Sequence, residues 1–448
     1  MSLFRKLQRR AANGTPIKVG VIGAGKFGSM FLSQIPRIPG IEVVGVADLN
    51  IAAAQSNLTL IGWPEEKFLA PSLDAALASG AAHVTQNAMA LIARPEIEVI
   101  VDCTGNPVVA IEHIVAAFEH GKHVVSATVE ADAVCGVVLA DLARRHGVLY
   151  SMAYGDQPAM VCELVDWARV CGFKVAAAGR GHKWKDEFRY STPDTIWNYW
   201  GLTAEQAERG RLNPKMFNSF LDGTKPAIES AAIANACNLA VPDHGLTFPT
   251  GSMDDIANLM RPASAGGALA QSGMVEVINS MGPDGQEVPY HIRQGVWVCV
   301  EASNDYQRNC FEEYLVVTDD SGYYTTVFKR WHLIGLELGM SVASVAERGE
   351  TTGTPQVFNG DVVAIAKRPL KAGELLDGEG GFTVAGGLRP AAQSVAMGAI
   401  PLGLASDLKL KRDVAVDQIL TRDDVDLDES LLATRLRYEA EALVKPQD

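Results

Sequence analysis

No apolar run in this chain reaches the roughly 18 residues that a membrane-spanning helix requires, because glycine or charge interrupts each one. No CxxC pair occurs among the seven cysteines. Those at Cys162, Cys171, Cys237 and Cys299 sit in apolar surroundings, which suits a reducing cytoplasm and argues against a zinc site. Positive charge is also in deficit. A formal net charge of −14 disfavours nucleic acid or an anionic membrane as partner. The basic start, Met1 to Arg10, lacks the apolar region of a secretory signal and reads as a short surface helix or arm. A cytoplasmic location is the expectation.

What remains is ordinary globular material. The 448 residues are 48% hydrophobic and 21% charged, more than one core usually serves, so two or three domains are expected. The most informative stretch runs from Lys18 to Asp48. An apolar run, Val19 to Ile22, breaks into Gly23-Ala24-Gly25-Lys26-Phe27-Gly28; a helical segment follows, then a second apolar run ending at Asp48. Each glycine answers a need of a dinucleotide site: Gly23 for the tight turn, Gly25 for close approach of backbone to a pyrophosphate, Gly28 for helix–strand packing. Lys26 and Phe27 open the helix, whose unpaired N–H groups and positive dipole end suit phosphate. Asp48 stands twenty residues after Gly28, where a carboxylate can accept from ribose hydroxyls. That favours NAD over NADP.

Strand and helix then alternate to about residue 155, which predicts a parallel sheet with helices on both faces. An alanine-rich helical stretch spans Leu73 to Ala93, and Glu98 to Val101 is a buried strand emptying into Asp102-Cys103-Thr104-Gly105-Asn106-Pro107. Ligands of such sheets lie outside the carboxyl ends of the strands. Cys103, Thr104, Gly105 and Asn106 are therefore expected beside the cofactor, and Ser126 and Thr128, ending the next strand, beside the substrate.

Asp156, ahead of Pro158, reads as a helix cap at the entry to a second domain. The next strand, Phe173 to Ala178, discharges into a segment holding Arg180, His182, Lys183, Lys185 and Arg189 within ten residues. In so acidic a chain this predicts an anion pocket, with a lysine able to polarise a carbonyl or move a proton. The bland alternative is a solvated loop paired with Asp186 and Glu187. Trp197-Asn198-Tyr199-Trp200 and Met216-Phe217 suggest a lid or an interface. Trp331 to Glu337 with Ser341 to Ala346 reads as a helix returning to the first domain, and short strands after Gly360 suggest a small β-rich unit. The tail, Arg422 to Ala442, reads as a solvated surface helix. The expected architecture is α/β: a doubly wound Rossmann domain (1–155), an α+β substrate and dimerisation domain (156–345), and a β-rich domain with a terminal helix (346–448).

Val99 to Pro107 and Gly121 to Thr128 resemble the Rossmann domain of homoserine dehydrogenases, and Lys371-Ala372-Gly373-Glu374-Leu375-Leu376 resembles a SAF domain. Together these are similar to the homoserine dehydrogenase-like oxidoreductases, including the 1-deoxy-D-xylulose 5-phosphate reductoisomerase-like (DRL) enzymes of isoprenoid precursor synthesis. True homoserine dehydrogenases carry a lysine where Ala127-Thr128-Val129-Glu130 stands here, so that lysine is missing. The resemblance implies NADP(H), with Lys26, Gln55 or Asn57 taking the 2′-phosphate should Asp48 turn aside. It also implies a phosphorylated sugar as substrate, a homodimer and Mg or Mn as divalent ion. Arg180, His182 and Arg189 would hold the phosphate, Lys183 and Lys185 would serve the carbonyl and the proton, and Asp156 or Glu187 would orient hydroxyls or metal. The alternative is an NAD(P)-dependent dehydrogenase of a small hydroxy acid.

Overall fold

The computed structural model describes residues 2–210 and 212–444. It divides into two compact units, Met1–Met160 with Leu333–Thr354, and Val161–His332 with Pro355–Asp448. The first unit is built on six parallel strands: β1 (Ile17–Ile22), β2 (Ile41–Ala47), β3 (His83–Thr85), β4 (Val99–Asp102), β5 (His123–Ser126) and β6 (Tyr150–Met152). Their order is β3-β2-β1-β4-β5-β6, the doubly wound arrangement whose ligand crevice opens where the order reverses, between β1 and β4. Strands covered on both faces must be apolar throughout, and β1, β2 and β4 supply Val19, Val21, Val43, Val46, Val99 and Val101 to the core.

Two segments far apart in sequence close this core. Helix Leu3–Ala12 buries Leu3 and Leu7, so the basic N-terminus is docked rather than a free arm. Helix Gly339–Glu347 buries Val342, Ala343 and Val345 in the same cluster, and Arg10 bonds both Glu347 and Glu98. That helix begins later than its sequence suggests, because Gly335 takes φ +76° in the turn before it. Strand β3 was not legible. The alanine-rich stretch around it is two helices, Leu73–Ser79 ending on the left-handed Gly80 and Ala88–Ile92 capped by Asn87.

The second unit holds a four-stranded mixed sheet of β7 (Lys174–His182), β8 (Met274–Asn279), β9 (Val296–Glu301) and β10 (Tyr324–Lys329), ordered β10-β9-β7-β8. Helix Thr224–Cys237 is buried along its whole length. The reason is that it also receives the C-terminal strands. The Asn235 amide oxygen accepts from the backbone N–H groups of Asn359 and Gly360, each at 2.8 Å. Gly386 N–H donates to Thr224 Oγ1 at 2.7 Å. Residues 346–448 therefore do not stand apart as a third domain: their first part, to Thr354, lies with the first unit and the rest shares the second.

The β-rich segment itself is present. β11 (Gly360–Ala366) pairs antiparallel with β13 (Val384–Pro390), and β12 (Leu375–Asp377) with β14 (Ser406–Lys409). The tail is a correction. Its helix, Leu432–Ala442, buries Arg437 in an ion pair with the equally buried Asp361 instead of lying solvated. Among the described residues no helix is long and apolar enough to cross a membrane.

Candidate active site

In the first unit the glycine turn does what its spacing implies. Gly23 has φ +95° and passes so near β4 that an added Cβ would lie 2.5 Å from the Cys103 carbonyl oxygen. A Cβ on Gly28 would sit 2.1 Å from the Gly23 oxygen, so helix Lys26–Gln34 rests directly on the turn. Gly25, exposed and just ahead of that helix, faces open space on its Cβ side. This leaves bare backbone and helix N–H groups where a pyrophosphate is held in dinucleotide-binding folds. Lys26 is exposed and Phe27 half-buried at the same end.

Asp48 does not turn aside. Its Oδ2 accepts from Ala24 N–H at 2.9 Å and its Oδ1 from Asn50 N–H at 2.8 Å, which fixes the carboxylate beside the turn with lone pairs still free. Asn57, a candidate for a 2′-phosphate, instead donates its amide to the Ala24 carbonyl at 2.9 Å. The residues thus fit a dinucleotide with free ribose hydroxyls.

At the tip of β4, Asp102 is fully buried and accepts from Thr128 Oγ1 at 2.5 Å and Thr104 Oγ1 at 3.0 Å. Burial pushes its carboxyl up to about 6, against the pull of these hydroxyls. Thr128 Oγ1 also accepts from Gly105 N–H at 3.1 Å. This corrects the expectation for Ser126 and Thr128. Both are buried, Ser126 Oγ accepts from Thr128 N–H, and they lock the ends of β4 and β5 rather than reach a substrate. Cys103 is half-buried, and burial and then Asp102 raise its thiol. Asn106 caps helix Pro107–Glu119 through its side-chain oxygen. Gly105 and Asn106 are the exposed part of this turn.

A buried acid group escaped the sequence reading. Asp132, in the first turn of helix Val129–Arg145, is pushed up to about 8, chiefly by burial and further by Glu130 and Asp156, with Tyr150 opposing. The shift favours its protonated, neutral form. Two acids inside the apolar run Ala127 to Val138 were the available signal. Asp156 itself is buried, and its Oδ1 accepts from Gln157 N–H where the next helix starts.

In the second unit the cationic stretch does not form one pocket. Strand β7 continues to His182, so Arg180 and His182 lie inside the unit. Arg180 is ion-paired with Glu229 of the buried helix, and the same residue's backbone carbonyl accepts from Trp297 Nε1. An arginine held this way is not a free phosphate ligand. His182 is kept well below the usual histidine value, first by burial and then by Arg180 and Arg293, so it is neutral.

Lys183 is different. It is half-buried, its Nζ donates to the Tyr199 carbonyl at 3.1 Å, and burial followed by Arg293 lowers its pKa. Lys185 Nζ overlies Gly285, whose added Cβ would lie 3.2 Å away. Asp186 accepts from Trp184 Nε1, and Glu187 is exposed. The aromatics read as a lid, Trp197, Tyr199, Trp200 and Phe217, pack on Trp184, Phe188, Ile196 and Leu221 as a satellite core. Arg293, which stacks over Trp200 and pairs with Glu287, was not singled out in the sequence. Among the described residues no group of three His, Cys, Asp or Glu side chains could hold a metal ion.

A doubly wound sheet with a glycine turn of this geometry is the fold of a dinucleotide-binding domain. Comparison with known proteins narrows this. Residues 23–152 match the family described as homoserine dehydrogenase, NAD binding domain, and residues 155–338 the family described as oxidoreductase DRL, catalytic domain. Each of these two matches covers less than half of the chain.

A homoserine dehydrogenase of Pseudomonas aeruginosa is 30% identical over 138 residues, 30% of this chain and 28% of the relative's length. Among solved structures, a homoserine dehydrogenase from Thiobacillus denitrificans matches at 22% identity and TM-score 0.35, over 49% of each chain. A DOX-P reductoisomerase in complex with magnesium matches at 11% identity and TM-score 0.33, over 50% of this chain and 58% of that one.

Proposed function

We propose that the protein is an NAD(P)H-dependent reductoisomerase that converts 1-deoxy-D-xylulose 5-phosphate to 2-C-methyl-D-erythritol 4-phosphate. The observation that carries this reading is Lys183, a half-buried lysine of lowered pKa at the end of β7, inside the DRL-type catalytic stretch. A reduced nicotinamide, when bound, supplies hydride to a carbonyl carbon. The chain's own part is to bind and to manage charge. The backbone at Gly25 and the start of helix Lys26–Gln34 accommodate the pyrophosphate, and Asp48 accepts from ribose hydroxyls.

Lys183 Nζ, as ammonium, donates a hydrogen bond to the substrate carbonyl oxygen and so polarises it. As the oxygen gains charge, the same ammonium can release its proton to it, and a lowered pKa reduces the cost of that transfer at neutral pH. Lys185 adds positive charge nearby and disfavours a second proton-bearing ammonium at Lys183, in the same direction as Arg293. Asp48 supports NADH as the preferred reductant, where the family resemblance implied NADPH. A cytoplasmic homodimer with no nucleic-acid or membrane partner completes the proposal.

The test is an absorbance assay with protein, the sugar phosphate and either NADH or NADPH, with and without Mg²⁺ or Mn²⁺. Cofactor consumption above blank supports the reading, and its absence with both nucleotides removes it. The fixed carboxylate at Asp48 also favours a second reading, an NAD-dependent dehydrogenase of a small hydroxy acid. A panel of such acids read at the same wavelength separates the two.

A further inference from the structure

Of the cations in the strand-end segment, one opens on a cavity. Arg189 lines a small solvent-connected cleft of about 40 Å³ in the second unit, together with Trp184, His244, Lys367, Gly386 and Arg389. The walls come from five separate stretches of chain, around residues 184–189, 222–227, 244–248, 365–367 and 385–389.

The charge inside is unbalanced. Lys367 is neutralised where it stands: its Nζ donates to Asp222 Oδ2 at 2.7 Å and to the Ser191 and Gly381 carbonyls, with both side chains buried. Arg189 and Arg389 have no such answer. No described carboxylate pairs with either guanidinium, and Arg389 makes one hydrogen bond, from Nη1 to its neighbour's carbonyl, Leu388, at 2.7 Å. Burial, and after it the Arg189 charge, hold Arg389 below the ordinary arginine value. The two like charges therefore act on each other inside a half-buried space.

The cleft is also shaped around that guanidinium. Gly245 has φ +90°, and a Cβ there would lie 2.7 Å from Arg389 Nη1. The backbone at Gly245 is thus packed against the arginine. Two planar donor forks without a carboxylate match a tetrahedral oxyanion, which each can bind bidentately. An anion between them would turn a repulsion into two charge-assisted contacts.

We propose that this cleft binds a small dianionic oxyanion, the phosphate group of a phosphomonoester or free phosphate, between Arg189 and Arg389. The C-terminal β-rich segment, through β13, then supplies a ligand-binding residue and is more than a structural appendage. This site goes beyond the reaction proposed above: it uses residues of the second unit alone, and its test involves neither nucleotide nor turnover.

Isothermal titration of the full chain with inorganic phosphate, and separately with glycerol 1-phosphate, tests it. Saturable binding is expected, weakened at least tenfold in Arg389→Gln and lost in the Arg189→Gln/Arg389→Gln double variant. Tighter binding of the ester assigns the site to an organic phosphate, and equal binding assigns it to free phosphate. Hydrogen exchange on the unmodified protein needs no variant to fold: phosphate should protect the amides of residues 244–248 and 385–389. No saturable binding of either probe up to about 10 mM, binding unchanged in the double variant, or no protection in those segments would overturn the proposal.

Discussion

The glycine turn of the first unit and the cationic strand end of the second are both short, and both follow a buried strand. Yet their residues met different fates. Gly23 and Gly28 pack backbone against backbone at the turn, Gly25 faces open space, and Asp48 is bonded to Ala24 N–H beside them. Of the five cations between Arg180 and Arg189, Arg180 is locked to Glu229, His182 is buried and neutral, and Lys183 and Arg189 serve separate surroundings. The contrast has a physical source. A glycine's role is set by backbone it meets a few residues away or on the adjoining strand, so spacing carries it. A cation's role is set by its counter-charge, and Glu229 lies 49 residues beyond Arg180.

That contrast can be broken by mutation. The largest effect is expected at the buried pair. Glu229→Ala removes the buried carboxylate paired with Arg180 and should lower stability by about 3–5 kcal/mol in denaturant unfolding; an unchanged midpoint would mean that the pair contributes little to the fold. Next comes Gly28→Ala, whose Cβ cannot fit beside the Gly23 oxygen. It should cost about 1–3 kcal/mol of stability and weaken nucleotide affinity in a fluorescence titration, whereas Gly25→Ala should spare the fold and weaken nucleotide binding alone.

Asp48→Ser sharpens the comparison on the ligand side. Removing the fixed carboxylate should shift the NADH-to-NADPH affinity ratio about tenfold towards NADPH, equivalent to about 1.4 kcal/mol. Equal ratios in both proteins would show that Asp48 does not read the ribose.

A pH-dependent effect is expected at Asp132. Its carboxyl is raised from 3.8 to about 8 in the folded chain. Between those values the folded state holds a proton that the unfolded state has released, so this group's contribution to stability falls as pH rises through that window. Asp132→Asn should remove that slope, by up to about 1.4 kcal/mol per pH unit, and unfolding curves taken at several pH values would show it.

The fold was legible to the extent that pattern is local. Alternating apolar strands and capped helices gave the parallel sheet, but β3 is three residues long and begins with a histidine, too brief for a period to register. The returning helix Gly339–Glu347 was visible as an apolar pattern with the correct destination. The tail was not, because Arg437 looks like any surface arginine until Asp361, 76 residues upstream, is brought beneath it. Arg389 was overlooked for the same reason: only the folded chain sets it in the same cleft as Arg189.

Lys183→Ala, assayed by nicotinamide absorbance at saturating reductant and sugar phosphate, tests the central claim most directly. Turnover should fall by about 10²–10⁴-fold while nucleotide affinity stays at its original value. Undiminished turnover in that variant would contradict the assignment of the proton-moving group to the end of β7.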